Sequence, residues 1–412
     1  MKTSASIVAL VLGMLFFAAP GFAAGFRLPD QDAAAMGMAG AFVGQADDPA
    51  AVWYNPAGIT QLDGTRISGG AVAIYPVNKH ESAGGPTDVA ERKVHLPFHL
   101  FATSKINDAM TVGLGITNPF GLSSTWSDTS ATRYVATFSE VKTLNINPTI
   151  AYRINDALSV AAGVNYLQLE ATMDKMLPTP FGDRSFSLKG DGVGWGVNAA
   201  VKYAATDRTS FGLSYRSRIK VSMDGTASVD LQLPAPSNSA KTSITLPDLV
   251  QIGTSYKATD DLLINVDLEY TGWSSYDKLV VTSDSILALS GGATDTSRED
   301  KKWKNTWMVR IGGQYKVSEQ WKLRAGYVFD ASPVPEKYFD TRVPDSNRHG
   351  VTIGTGYTSG RITIDAAYLY LVFANRTITN SVADDATPTP AALTGTYKSL
   401  AHIAGVTLGY KF

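Results

Sequence analysis

Along most of the chain, large apolar residues alternate with small or polar ones at a period of two. This pattern limits the fold more than any other feature. It is clearest at the end, where Val406, Leu408, Tyr410 and Phe412 alternate with Gly405, Thr407, Gly409 and Lys411. Successive side chains of a strand point to opposite faces, so one face is large and apolar and the other small or polar. A soluble sandwich buries the apolar face in a core; a barrel in lipid turns it outward and lines a lumen with the other. One strand does not separate these folds, but repetition does. Phe211, Leu213, Tyr215, Ile219, Val221 and Met223 oppose Gly212, Ser214, Arg216, Arg218 and Lys220. Leu262, Ile264, Val266, Leu268 and Tyr270 oppose Asn265, Asp267 and Glu269. Leu323, Ala325, Tyr327 and Phe329 oppose Lys322, Arg324, Gly326 and Asp330. Charges keep to one face and aromatics gather toward strand ends, as the interfacial girdles of a membrane barrel require.

The reading is therefore all-β: a fourteen-stranded antiparallel transmembrane β-barrel. Strands are expected near 64–76, 92–105, 109–117, 133–154, 157–173, 186–205, 208–232, 241–258, 261–282, 302–317, 320–330, 347–359, 361–377 and 397–412. An even count suits a closed bacterial barrel with both ends in the periplasm; twelve is the next-best count. The tight turns 106–108, 154–156 and 259–261 read as periplasmic, and the longer polar stretches 283–300 and 378–396 as extracellular.

The first residues agree with that compartment. Lys2 precedes an apolar run, Ile7 to Ala19, and then Pro20-Gly21-Phe22-Ala23-Ala24. This reads as a signal peptide over residues 1–23, cleaved after Ala23. The run is short for an uncleaved spanning helix, the alternative reading. No later stretch is a long apolar helix, so a helical membrane protein is excluded. The net charge of −1 implies no acidic or basic partner and no nucleic-acid role. The absence of cysteine excludes disulfide scaffolds, thiolate metal sites and cysteine nucleophiles.

Residues 24–62 lack alternation, and the barrel is expected over 63–412. The segment is rich in alanine, glycine and turns, and Asp30-Gln31-Asp32 precedes the alanine run as a helix cap. It reads as a disordered arm or as a hatch inside the barrel. Phe42, Val43, Trp53 and Tyr54 favour the hatch, which implies a plugged pore.

At this point the chain resembles the outer-membrane long-chain fatty-acid transporter family, the FadL type, which includes aromatic-hydrocarbon uptake channels. The residues that carry the resemblance begin with Ala24-Gly25-Phe26, followed by the hatch segment from Ala46-Asp47-Asp48-Pro49 to Asn55-Pro56-Ala57-Gly58. They continue with Thr117-Asn118-Pro119-Phe120-Gly121-Leu122, Phe329-Asp330-Ala331-Ser332-Pro333-Val334-Pro335, and Val343-Pro344-Asp345 with Arg348. The resemblance implies a monomeric barrel with an N-terminal hatch, which takes up hydrophobic molecules passively. They leave through a side opening made by a kink in the third strand. The gate would be Asn55, Pro56 and Ala57 of the hatch lying against Asn118, Pro119, Phe120 and Gly121.

The residues fit such a route. Gly113 and Gly115 leave lumen space on strand three. Pro119 then interrupts the ladder because it has no N–H, and Gly121 permits backbone that bulky residues avoid. An ordinary extracellular turn is the plainer reading of the same residues. Lys304 is placed on the lumen face of strand ten with Lys302 and Arg310, opposite Trp303, Trp307 and Val309. The resemblance makes Lys304 the ligand-contacting lysine, and Lys304, Arg310 and Trp307 form the candidate ligand site. Arg216, Arg218 and Arg324 are further inward cations, with partnership to acids such as Asp47, Asp48, Asp267 and Asp330 as the plainer role. The family's fatty-acid transporters carry an arginine on strand five where Glu170 is matched here. That departure leaves neutral or aromatic substrates open.

A barrel-embedded lipid hydrolase is the alternative from another class. It needs a Ser-His pair or paired acids at the membrane edge. His95 and His99 share a strand face, but no acid sits beside them and Pro97 lies between. No catalytic residue, metal or cofactor is expected. The expected partners are a hydrophobic small molecule and the outer-membrane lipid with its lipopolysaccharide.

Overall fold

A computed structural model describes residues 25–231, 237–379, 381–382 and 392–412. The signal-peptide reading over 1–23 lies outside the described residues.

The wall is one antiparallel sheet closed on itself. Its staves are β1 (Thr65–Ser82), β2 (Phe98–Lys105), β3 (Met110–Thr117, then Gly121–Thr125), β4 (Phe138–Arg153), β5 (Leu158–Leu177), β6 (Arg184–Thr206) and β7 (Thr209–Arg216, then Ile219–Val229). The circuit continues with β8 (Ser239–Leu246, then Leu249–Lys257), β9 (Leu262–Thr271, then Lys278–Ser283), β10 (Thr296–Asp300, then Thr306–Lys316) and β11 (Trp321–Asp330). It ends with β12 (Arg348–Ser359), β13 (Ile362–Phe373, then Arg376–Ile378) and β14 (Gly395–Lys411). Each stave pairs with the next, and β14 returns to β1 in unbroken register from Arg66↔Lys411 to Ser82↔Gly395. Closure removes the unpaired edges that lipid would not satisfy.

The alternation assigns the faces. Trp195, Val197, Ile252, Leu323, Val351, Ile353 and Leu408 are exposed on the outer wall, a surface that only lipid covers without penalty. Exposed aromatics form two belts. Tyr203, Tyr315, Trp321 and Tyr410 lie toward the tight-turn end, and Trp195, Trp307, Tyr327 and Tyr370 toward the long-loop end. Eight residues of tilted strand separate Trp195 from Tyr203, about 20 Å of membrane depth.

Two departures from the expected strands matter for the site. The stretch before β2, expected to be strand from 92, meets β1 only at bridging pairs such as Ile74↔His95, and Pro97 removes a ladder donor there. The tenth stave is interrupted at residues 301–305, where Lys302 takes a φ of 50°. The side-chain parity changes within this interruption: Trp303 turns inward and is buried, Lys304 and Asn305 are both exposed, and Thr306 is buried again.

Inside the barrel, the N-terminal segment folds as α1 (Ala33–Met36), α2 (Ala51–Tyr54) and a 3₁₀ turn (Pro56–Gln61). Nearly every residue from Gln31 to Thr60 is buried. A short helix α3 (Asp284–Leu289) lies between β9 and β10.

Candidate functional site

The hatch is built from small residues because the wall comes close. A Cβ on Gly312 or Gly326 would overlap the main chain of Met38, and one on Gly44 would overlap Thr254 and Ser255. Asp32 caps α1 by accepting from Ala35 N at 2.9 Å. Inward charges of the staves then bond the hatch main chain. Asp267 accepts from Phe42 N at 2.7 Å and from Val43 N at 2.9 Å. Lys202 donates to Gly44 O and Gln45 O. Arg216 donates to Val52 O at 2.8 Å and Trp53 O at 2.9 Å, stacks on the Trp53 ring, and closes the last turn of α2. Arg216 and Asp267 therefore anchor the hatch through its main chain, rather than pairing with opposite charges, the plainer role. Arg324 pairs with Asp365 at 2.6 Å. Arg218, expected inward, is largely exposed and pairs with Asp248 at 3.0 Å.

The third stave is broken where expected. Thr117 pairs with Asn145 and Gly121 with Lys142, so three intervening residues of β3 face two of β4. On the other side, pairing with β2 ends at Leu100↔Ile116. The freed groups turn inward to the hatch. Leu28 N donates to Pro119 O at 2.9 Å, and Gly121 N donates to Phe26 O at 2.9 Å. The Gln31 side chain donates to Asn118 O at 3.1 Å and accepts from Asn118 N at 3.3 Å. The Asn118 amide donates to Thr143 O and accepts from Phe98 N, so one side chain spans the gap between β2 and β4. No ladder joins residues 92–97 to 118–124; contact resumes where Glu91 N donates to Thr125 O at 2.8 Å.

Behind this break lies a cavity of about 580 Å³, inside the roughly 300–1,000 Å³ range of small-molecule sites. One wall is apolar: Val72, Ile74, Val328, Leu369, Leu371 and Ile403. The inner end is charged. Glu269 holds both Arg27 and Arg310, the latter at 3.0 Å, and Arg348 pairs with Asp330 at 2.8 Å. Arg27 Nε and Arg310 Nη2 are buried without an acceptor among the described residues. Burial pushes the Asp30 carboxyl above the ordinary range. The loop 331–347 covers the top, with Val343, Pro344 and Asp345 lining the cavity. Burial raises the Asp345 carboxyl to about 6, against the pull of Arg348 and the hydrogen bond from Gly25 N at 3.1 Å. Phe26 plugs an aromatic box, with ring centroids 4.9 Å from Trp273, 5.7 Å from Trp303 and 5.9 Å from Phe120.

Several expectations need correction. Lys304 does not line the lumen: it is exposed, precedes the membrane part of β10, and donates its main-chain N–H to Pro333 O. Trp307 is exposed on the outer wall, because β10 turns its odd residues outward from Thr306 onward. Of the three candidate ligand residues, only Arg310 lines the cavity. Asn55, Pro56 and Ala57 do not meet the break. Asn55 donates to Val43 O and Val201 O and accepts from Ala57 N, which sets the turn against β4–β6. Asn118, Pro119, Phe120 and Gly121 are met instead by Phe26, Arg27, Leu28 and Gln31. Glu170 faces outward while its neighbours Leu167 and Leu169 are buried, so strand five contributes apolar surface and no opposing carboxylate. His99 bonds Thr407 Oγ1 at 2.8 Å, whereas His95 lines the cavity. Arg27 and Leu28 escaped the sequence reading. The adjoining Gly25-Phe26 was the available signal.

A closed barrel with a plugged lumen, an apolar cavity and a gap in its wall defines an outer-membrane transporter of hydrophobic compounds, and such a protein transports without catalysis. The family described as outer membrane protein transport protein (OMPP1/FadL/TodX) matches residues 14–412. The chain belongs to this family, whose place is the bacterial outer membrane. The long-chain fatty acid transport protein of Escherichia coli K12 is 27% identical over 90% of this chain and 92% of its own. The structure of a Pseudomonas aeruginosa FadL homologue superposes with a TM-score of 0.81 at 22% identity, covering 94% of this chain and 100% of that one. The Pseudomonas putida toluene transporter TodX superposes at 0.71 with 17% identity, covering 93% and 99%.

Proposed function

We propose that the protein takes up long-chain fatty acids and similar single-headed amphiphiles, passively and as a monomer, past the lipopolysaccharide layer. The substrate is held in the cavity and leaves sideways through the gap between β2 and β3. The observation that carries this reading is the cavity's continuity: the arginines at its buried charged end and residues at the wall break line the same space. Apolar burial favours the tail by roughly 0.8 kcal/mol per methylene. The unpartnered donors of Arg27 and Arg310 suit a carboxylate, since a buried donor without an acceptor costs about 1–3 kcal/mol. The sequence relation to a long-chain fatty acid transport protein supports the same substrate class.

Uptake of hydrocarbons is the second reading. It is favoured by the largely apolar cavity wall and by the fold shared with a toluene transporter. The test is uptake of oleate and of toluene by cells that express the protein, paired with binding of each to the purified barrel. Saturable oleate uptake supports the proposal; uptake of toluene alone supports the second reading.

A further inference from the structure

The wall opening carries charges of its own. Approaching β2, Val94, Leu96 and Phe98 are exposed, an apolar lip facing lipid. Lys93 precedes this lip and His95 lies within it, and both line the cavity. Across the gap, β4 contributes Glu140 and Lys142, which also line the cavity and pair at 2.6 Å. Lys93 forms no ion pair among the described residues, and Glu140 is already engaged by Lys142. The charged residues that line the opening are thus two lysines against one glutamate, beside the apolar Val94, Leu96 and Phe98; Lys142 stands in register with the outward-facing Glu170 and so lies on the outer face of β4, at the mouth of the port. The lip's depth is set by the Ile74↔His95 bridge, because Tyr75 pairs with His402 in the upper aromatic belt. The opening thus lies at the headgroup level of the outer leaflet.

We infer that Lys93 and Lys142 form an anion subsite in the exit port, distinct from the buried arginines. A departing amphiphile passes its carboxylate from the arginine end to these lysines while its tail slides over Val94, Leu96 and Phe98 into lipid. A neutral hydrocarbon has no use for the subsite. The subsite thus favours release of anionic amphiphiles without setting how tightly the interior binds them. This rests on the lateral-exit reading above.

The test uses the full barrel, in cells and purified, with Lys93→Gln and Lys142→Gln combined. Both side chains are solvent-facing, and neither bonds the hatch. Oleate uptake is expected to fall about two- to fivefold, the scale of a partly exposed charge interaction. Oleate binding to the purified barrel and toluene uptake stay at the wild-type level, and Lys93→Arg with Lys142→Arg restores oleate uptake. Unchanged oleate uptake at equal surface level overturns the subsite. So does an equal fall for toluene, or a matching loss of oleate binding. If the wild-type barrel takes up no oleate, the function proposed above fails instead, and the subsite with it.

Discussion

The main-chain N–H of Leu28 reaches the carbonyl of Pro119 at 2.9 Å, so the hatch lends a backbone partner to the third stave where it bends away from its neighbour. Pro119 has no N–H, and β3 carries an extra residue there. The hatch strand from Phe26 to Leu28 satisfies what the wall leaves open. Opening the wall and seating the first hatch residues are thus one structural event. Leu28→Pro removes the donor and is expected to free residues 26–31 while the barrel stays closed elsewhere. Hydrogen exchange checks this: faster exchange at Phe26–Gln31 and Gly121, with β9–β14 unchanged.

Arg216 ties the end of α2 to three staves through Val52 O, Trp53 O, Asn147 and Asn165. Arg216→Ala strands these buried acceptors and is expected to destabilise the hatch by about 3 kcal/mol. In planar bilayers the variant conducts in bursts as the hatch loosens, whereas the parent stays nearly silent. A silent variant with an unchanged unfolding temperature contradicts the anchoring role.

Much of this architecture was legible from alternation because a wall with lipid on one side and a lumen on the other repeats one rule along every stave. Gly113 and Gly115, read as lumen-facing space, are where Val52 and Ile59 of the hatch pack. The rule failed where the backbone changes parity. Counting back from Arg310 puts Lys304 inside, but Lys304 and Asn305 are exposed in succession ahead of buried Thr306, so the order reverses before the strand begins. Glu170 lies on the outward face of β5, where it cannot meet a ligand head in the lumen. The Asn55-Pro56-Ala57 contact failed for another reason: alternation carries no information about how an irregular segment folds inside a lumen.

Arg310 and Lys304 now separate the two views of the ligand site. Arg310→Gln removes a buried donor at the inner end of the cavity and is expected to weaken oleate binding about tenfold, the effect of one charge-assisted hydrogen bond. Toluene binding stays unchanged. Lys304→Gln alters neither. Quenching of Trp303 and Trp273 fluorescence in the purified barrel reads all four cases, with unfolding temperature as the check on the loss of the Glu269 pair.

Asp345 joins the loop over the cavity to Gly25. Its carboxyl stands at about 6, above the ordinary value of 3.8, so the folded protein holds this proton more tightly than the unfolded chain. The sign follows: the contribution is fully present below pH 3.8 and is lost as pH rises through about 6. Between pH 5 and pH 8 the stability of the barrel should fall by on the order of 2 kcal/mol from this group. Asp345→Asn should remove that part of the slope. Apparent unfolding temperatures of both proteins across this range decide it; parallel slopes assign the pH dependence elsewhere.

The last prediction repairs the wall. Three residues of β3 between Thr117 and Gly121 face two of β4, so removing one restores a continuous register. Deleting Phe120 together with Pro119→Thr supplies the missing N–H and takes out the extra residue. β3 should then run straight from Met110 to Thr125 and pair with the stretch before β2, closing the gap behind Val94 and Leu96. The cavity keeps its apolar wall on β1 and β11–β14 and its arginines, so purified protein should still bind oleate. Cells should lose its uptake. Amide exchange across Ser123 and Leu96 reports whether the ladder has formed, and surface level is measured alongside. Uptake that persists with the ladder formed would reject sideways exit and point to a route through a displaced hatch into the periplasm.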